Sequence, residues 1–173
     1  MNFEQCLAII FKLEGFESDD PADPGGRTRY GITKATYTKW LGRAPTERDW
    51  EHLSRQVASG IYNVFYWAPA WCENLPRPLR LVVFDCAVNQ GVDRAKRWLQ
   101  EAVGATPDGI IGPRTLAKAK SAVRSGDGLG VIVEISARRT VHWSGLINLI
   151  KFRFGWFRRG YRVACECARL IER

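Results

Sequence analysis

Apolar residues recur along most of this chain at intervals of three and four, the period of a helix seen from one side. Phe3, Leu7, Ile10 and Glu14 fall on one stripe of the first such segment, with Phe11 beside it, and Gly15 is placed to end it. From 19 to 33 the pattern breaks. The stretch "DDPADPGGRTRYGIT" holds too much Pro and Gly for a helix and predicts turns with one short hairpin around Pro24-Gly25-Gly26. Helical signals then resume. Thr33 is set to cap a helix from 34 to about 41, stopped by Gly42. Thr46 with Asp49 has the spacing of a capping box, and Ser54 can cap a helix from 55 to about 67, ahead of Pro69. "RPLRLVVFDCAVNQG" reads as a buried helix ended by Gly91, Asp93 opens one reaching about Val103, and Pro113 suits the first position of the next. Two more helices are expected at about 129–143 and 156–172. The expectation is one mainly α domain over 1–173 with a single small β-hairpin near 19–33.

Composition supports a folded core: the chain has 173 residues, 46% of them hydrophobic, and 7 Trp. Charge is more informative. Of the net charge of +8, +7 lies from Arg138 onward. Such a patch suits an anionic partner, whether nucleic acid, a lipid surface or an acidic polymer. No nucleic-acid-binding motif is recognisable, so no specific nucleic acid is expected. The five Cys are odd in number and lack a small-scaffold spacing, which points to reduced thiols. With only two His a zinc site is not expected, and no metal is assigned. The start "MNFEQCLAIIFKLEG" has Glu4 where a secretory signal is basic, and its apolar run is too short to span a bilayer. Synthesis in the cytoplasm without a signal peptide is the expectation.

The densest chemistry lies in "LEGFESDDPADPGGRTRYGIT". Glu14 sits on an apolar stripe, where desolvation disfavours its charge, and in a last helical turn, where the macrodipole is negative. Both raise its pKa and suit it to protonate a glycosidic oxygen as a general acid. The plainer reading is a glutamate reaching solvent at a helix end. Asp23 and Thr28 follow around the turn. A carboxylate and a hydroxyl there can hold a water for attack on the sugar opposite the acid; alternatively both serve the turn itself.

The order Glu14, Asp23, Thr28 is similar to that of phage lysozymes in glycoside hydrolase family 24. The whole stretch resembles glycoside hydrolase family 108, the N-acetylmuramidase group, more closely. That signature runs Glu-Gly-Gly-Tyr, then Asp-Pro-x-Asp-Pro-Gly-Gly-x-Thr-x-x-Gly-Ile-Thr, matched here by Glu14-Gly15, Asp20 to Gly26, Thr28, Gly31, Ile32 and Thr33. "IYNVFYWAP" (61–69), "FDCAVNQG" (84–91), "WLQEAVG" with "PDGIIGPRT" (107–115), and "FRFGWFRR" (152–159) extend the likeness over almost the entire chain. One departure stands out: Phe16-Glu17 replaces the family's Gly-Tyr, adding bulk and a carboxylate beside Glu14.

The resemblance implies a lysozyme-like helical fold, with 1–92 as the catalytic part and 93–173 resembling the family's predicted peptidoglycan domain. It implies cleavage of the β-1,4 bond between N-acetylmuramic acid and N-acetylglucosamine in peptidoglycan, with Glu14 as acid and without a cofactor. Asp23 and Thr28 are then candidate water-positioning groups, though Asp23 can instead brace the hairpin. Tyr30, Tyr62, Tyr66, Trp67 and Asn89 become candidate substrate-binding residues; for the aromatic ones core packing is the alternative. "DGIIGPRT" is read as a loop-to-helix corner rather than a substrate contact. The last helix carries one stripe of Trp156, Gly160, Val163, Cys167 and Leu170 and another of Arg158, Arg162, Glu166, Arg169 and Arg173. The second stripe is either a solvated face or a contact to an anionic cell envelope. A monomeric phage or prophage endolysin, reaching the wall through a holin-opened membrane, is the expected source. Two rivals remain: a lytic transglycosylase using Glu14 alone, and a lysozyme-like wall-binding or scaffold protein without turnover.

Overall fold

The computed structural model describes residues 1–14, 17–18, 28–146 and 152–171, with residues 14, 17 and 18 described by their backbone alone. Two compact units are present: Leu7–Phe65, and Met1–Cys6 together with Tyr66–Arg173. The helix α1 (Phe3–Glu14) belongs partly to each.

In the unit Leu7–Phe65 the described residues after α1 form three antiparallel strands of two residues each, β1 (Glu17–Ser18), β2 (Thr28–Arg29) and β3 (Ile32–Thr33), in the order β1-β2-β3. The single hairpin expected from the sequence is thus a three-stranded meander. Its expected turn at Pro24-Gly25-Gly26 lies outside the described residues. The tight turn that is described is Tyr30-Gly31, with φ of 53° and 74°. Thr28 pairs with Thr33 and Arg29 with Ile32, leaving two residues to reverse the chain. Type I′ turns, with positive φ at both positions, match the right-handed twist of such strands. Gly31 adopts this freely, whereas Tyr30 does so at a cost of about 1–2 kcal/mol.

Side-chain caps then punctuate the chain as anticipated. Thr33 accepts a bond from the Thr36 amide at 3.2 Å to start α2 (Lys34–Leu41), which Gly42 ends with φ of 71°. Thr46 and Asp49 form a capping box around α3 (Glu47–His52). Arg43 also grips Asp49 with two bonds of 2.6 and 2.9 Å. That guanidinium, with the Thr46 hydroxyl and amide, holds the Asp49 carboxyl well below the usual range. Ser54 caps α4 (Arg55–Tyr62). The single helix expected over 55–67 is interrupted: beyond Tyr62 the chain widens into a π-helical stretch, Asn63–Trp67. Residues five apart, Tyr62 and Trp67, are both buried while Asn63 and Val64 are exposed, a spacing that an α-turn does not produce.

The other unit is organised by α5 (Arg77–Gln90), whose Leu79, Leu81, Val82, Val83, Phe84, Cys86 and Ala87 are all buried, as in a helix covered on every side. It packs against α6 (Val92–Ala102), α8 (Gly128–Ser144) and α9 (Arg153–Ala168), with α7 (Pro113–Arg124) on α8. Helix α9 starts and ends about three residues before the expected 156–172. Phe3 fills the space between Trp67 and Phe84, at ring distances of 5.4 and 5.9 Å. Gly91 joins α5 to α6 at φ 90° and ψ 150°, a conformation open essentially to glycine alone.

One buried ion cluster ties three helices together. Asp85 on α5 is fully buried and accepts bonds from Arg139 on α8 and from Arg159 on α9, the latter at 2.7 and 2.9 Å. Burial pushes the Asp85 carboxyl up, the two guanidiniums pull it down further, and the balance lies below the ordinary value. Arg139 also stacks on Trp143, 4.7 Å from the ring centre.

Candidate active site

The groups singled out from the sequence fall in both units, and each is described within its own. In Leu7–Phe65, Glu14 is the last residue of α1, the position at which the helix dipole opposes ionisation. Its side chain, all of Asp23, Gly15 and Phe16, and the side chain of Glu17 lie outside the described residues. The backbone of Glu14 and Glu17 is still described. Three virtual bonds separate Glu14 from Glu17, so their Cα atoms lie within about 11 Å. Glu17 pairs with Arg29 and Ser18 with Thr28. The end of α1 is therefore tethered to the strand that carries Thr28. The Thr28 side chain is half-exposed, and its hydroxyl has no hydrogen-bond partner among the described residues.

An aromatic lock holds α1 against the Tyr30-Gly31 turn. Phe11, one helical turn before Glu14, meets Tyr62 edge-on at 5.6 Å and Tyr30 at 6.0 Å. The Arg55 guanidinium covers the Phe11 ring at 4.9 Å. The Tyr62 hydroxyl donates to the Tyr30 carbonyl at 3.2 Å, which offsets part of the strain at Tyr30. Phe11 stands one helical turn before the backbone position of Glu14, so the lock fixes the last turn of α1. Tyr62 itself is only 1% exposed. Of its two readings, a ring for the sugar or core packing, its burial fits the second: its faces pack on Phe11 and its hydroxyl bonds to the turn.

This lock was not anticipated. Its signal was legible in part: "TRYGIT" places a Gly in the second position of a two-residue turn between alternating strand residues. Nothing in the sequence showed that Tyr62 would reach that turn. Tyr62→Phe is expected to cost about 1 kcal/mol of unfolding free energy, since the Tyr30 carbonyl loses its partner. A denaturant melt reads this directly, and an unchanged midpoint would show that the bond contributes nothing.

In the other unit, Trp67 is 3% exposed, edge-on to Phe3 and Phe84 at 5.4 and 5.2 Å. It too is a core residue rather than a sugar platform. Tyr66 is half-buried. Asn89 is exposed, with its amide donating to the Asp85 carbonyl at 2.8 Å, so it reinforces the last turn of α5. Trp71, which the sequence did not single out, is exposed with φ of 58°, a strained conformation for a bulky residue. The "PDGIIGPRT" corner is organised by the buried Gln100. Its amide donates to Asp108 at 2.7 Å and to the Ile110 carbonyl at 3.0 Å, and its oxygen accepts from the Gly109 amide at 2.8 Å. An open cleft of about 560 Å³ beside it is lined by Thr106, Asp108, Arg114 and Lys118 among others.

Comparison with known proteins places this arrangement. The sequence pattern of the family Glycosyl hydrolase 108 matches residues 7–91, the segment containing Glu14, Thr28, Tyr30, Tyr62 and Asn89. Among solved structures the chain is similar to SagA of Brucella abortus, with 33% identity over 96% of this chain and 93% of that one and a TM-score of 0.85. Among curated proteins none matches. The mainly α, lysozyme-like fold expected from the motifs is the observed one. From these matches and the segment they cover, the chain belongs to glycosyl hydrolase family 108 and is a glycoside hydrolase acting on peptidoglycan.

Proposed function

We propose that the enzyme is an N-acetylmuramidase that cleaves the β-1,4 bond between N-acetylmuramic acid and N-acetylglucosamine, with Glu14 as general acid. The observation that carries this reading is the end of α1, where Glu14, the position matching the family's glutamate, closes a helix whose next described residues pair with β2 and whose last turns are packed through Phe11. Glu14 gives its proton to the glycosidic oxygen as the bond to the anomeric carbon breaks. A water held by Thr28, whose hydroxyl is uncommitted among the described residues, and by Asp23 attacks the opposite face and gives its proton to the Asp23 carboxylate. The anomeric centre then inverts. Family membership favours turnover over a purely wall-binding or scaffold role.

Digestion of purified sacculi followed by mass and NMR analysis tests the reading. Reducing N-acetylmuramic acid ends with inverted configuration are expected. Anhydro ends would replace it by the transglycosylase reaction, in which the sugar's own 6-hydroxyl attacks. Asp23→Asn separates the roles of that residue: a base loses turnover at unchanged melting temperature, whereas a brace loses both together. We assign the protein to phage or prophage lysis on the resemblance to phage lysozymes. In that setting expression alone leaves cells intact, and lysis follows only when a holin opens the membrane.

A further inference from the structure

We propose that the outer face of α9 docks the enzyme on an anionic phospholipid bilayer. Phe154 and Tyr161 on this helix are 76% and 62% exposed, and Arg158 and Arg162 are exposed without an ion-pair partner among the described residues. At 100° per residue these four side chains span only about 100° of the helix circumference; among the described residues the nearest acid, Glu166, lies just beyond that arc, one turn after Arg162, and is paired with Arg169. The neighbouring Arg159 points the other way, into the buried cluster with Asp85. The adjacent arginines 158 and 159 are thus divided between anchoring the helix and facing outward. Helix α9 is held rigidly: Gly160 approaches Trp143 of α8 so closely that an added Cβ would lie 3.0 Å from its ring. Trp156 stacks on the same ring at 6.3 Å. On α8 a second apolar stripe, Leu129, Val133 and Val141, is also exposed.

The combination selects the partner. An anionic wall polymer would satisfy the arginines but offers no apolar phase for Phe154. A second copy of this face would set arginine against arginine. A bilayer with anionic headgroups meets both demands: a ring enters the acyl boundary, tyrosine sits at the interface, and guanidinium groups lie among the phosphates. No helix among the described residues is long and apolar enough to cross a membrane, so this contact lies on the surface.

Vesicle flotation with phosphatidylcholine alone and with added phosphatidylglycerol tests the proposal. The wild type should float with the anionic vesicles and not with the neutral ones. Each arginine near a charged leaflet is worth roughly fivefold in partition, so R158Q with R162Q should weaken binding about 25-fold. F154S with Y161S should weaken it about tenfold or more and leave a remainder that salt abolishes. All four positions are exposed, so melting temperature and turnover of a soluble muropeptide should stay at wild-type values. Absence of vesicle binding, or equal binding by all variants, overturns the proposal. Sacculus binding lost in R158Q with R162Q while vesicles are ignored would assign the face to wall polymer. Self-association abolished by F154S with Y161S, again without vesicle binding, would assign it to a second copy.

Discussion

Glu14→Gln is expected to lower the rate of wall hydrolysis by about 10²–10⁴-fold, the usual contribution of a positioned general acid. The amide is nearly isosteric with the acid but has no acidic proton to give. Stability should not fall with activity. Glu14 ends α1, where a negative charge opposes the helix dipole; at a pH where Glu14 is ionised, the neutral amide removes a repulsion of about 0.3–1 kcal/mol. The variant should therefore melt at or slightly above the wild-type temperature. In the wild type, turnover should decline as pH rises through the Glu14 pKa, because only the protonated form donates. Retention of more than about a tenth of the wild-type rate, measured on purified sacculi at the pH optimum, would remove Glu14 from the mechanism.

The second large effect is on stability. Asp85→Ala is expected to destabilise the protein by about 3–5 kcal/mol, the range for removing one partner from a buried ion cluster. In a chain of this length that is a fall in melting temperature of roughly 6–20 °C. The loss leaves the guanidiniums of Arg139 and Arg159 facing each other at the junction of α5, α8 and α9. Arg139 suffers most, since its Nε and Nη1 are already buried without partners among the described residues. The pH dependence follows from the depressed Asp85 pKa. The stabilisation by the ionised carboxylate is fully present above the unfolded-state value near 3.9 and is lost as pH falls through the lower folded value. Wild type and variant should converge in stability only at strongly acidic pH. Replacing the three charges together by apolar residues of similar volume should recover much of the loss. A wild-type melting temperature in Asp85→Ala at neutral pH would show that the cluster contributes no stability.

Much of this architecture was written locally in the chain. Caps at Thr33, Thr46 and Ser54, the stop at Gly42 and the proline opening α7 act within four residues of where they stand. Such short-range chemistry competes with nothing distant, so sequence alone placed those boundaries. Boundaries set by packing were displaced. The helix expected over 55–67 becomes π-helical after Tyr62, since burying both Tyr62 and Trp67 requires a wider turn than the α-helix has. The turn at Tyr30-Gly31 was hidden because a tyrosine at positive φ is disfavoured by its own backbone and is supported there by Tyr62, 32 residues away.

For function the division is similar. Sequence by itself determined the helical class, the family, the acid candidate Glu14 at the end of α1 and the cationic end of the chain, because each depends on residue identity and spacing. Only the tertiary structure decided which aromatics are spent on the core, removing Tyr62 and Trp67 from the sugar-facing set, and which of two adjacent arginines faces outward. An aromatic ring or a guanidinium has the same local signal in either role. Its fate depends on whether distant partners, such as Phe11 for Tyr62 or Asp85 for Arg159, offer a better contact than water.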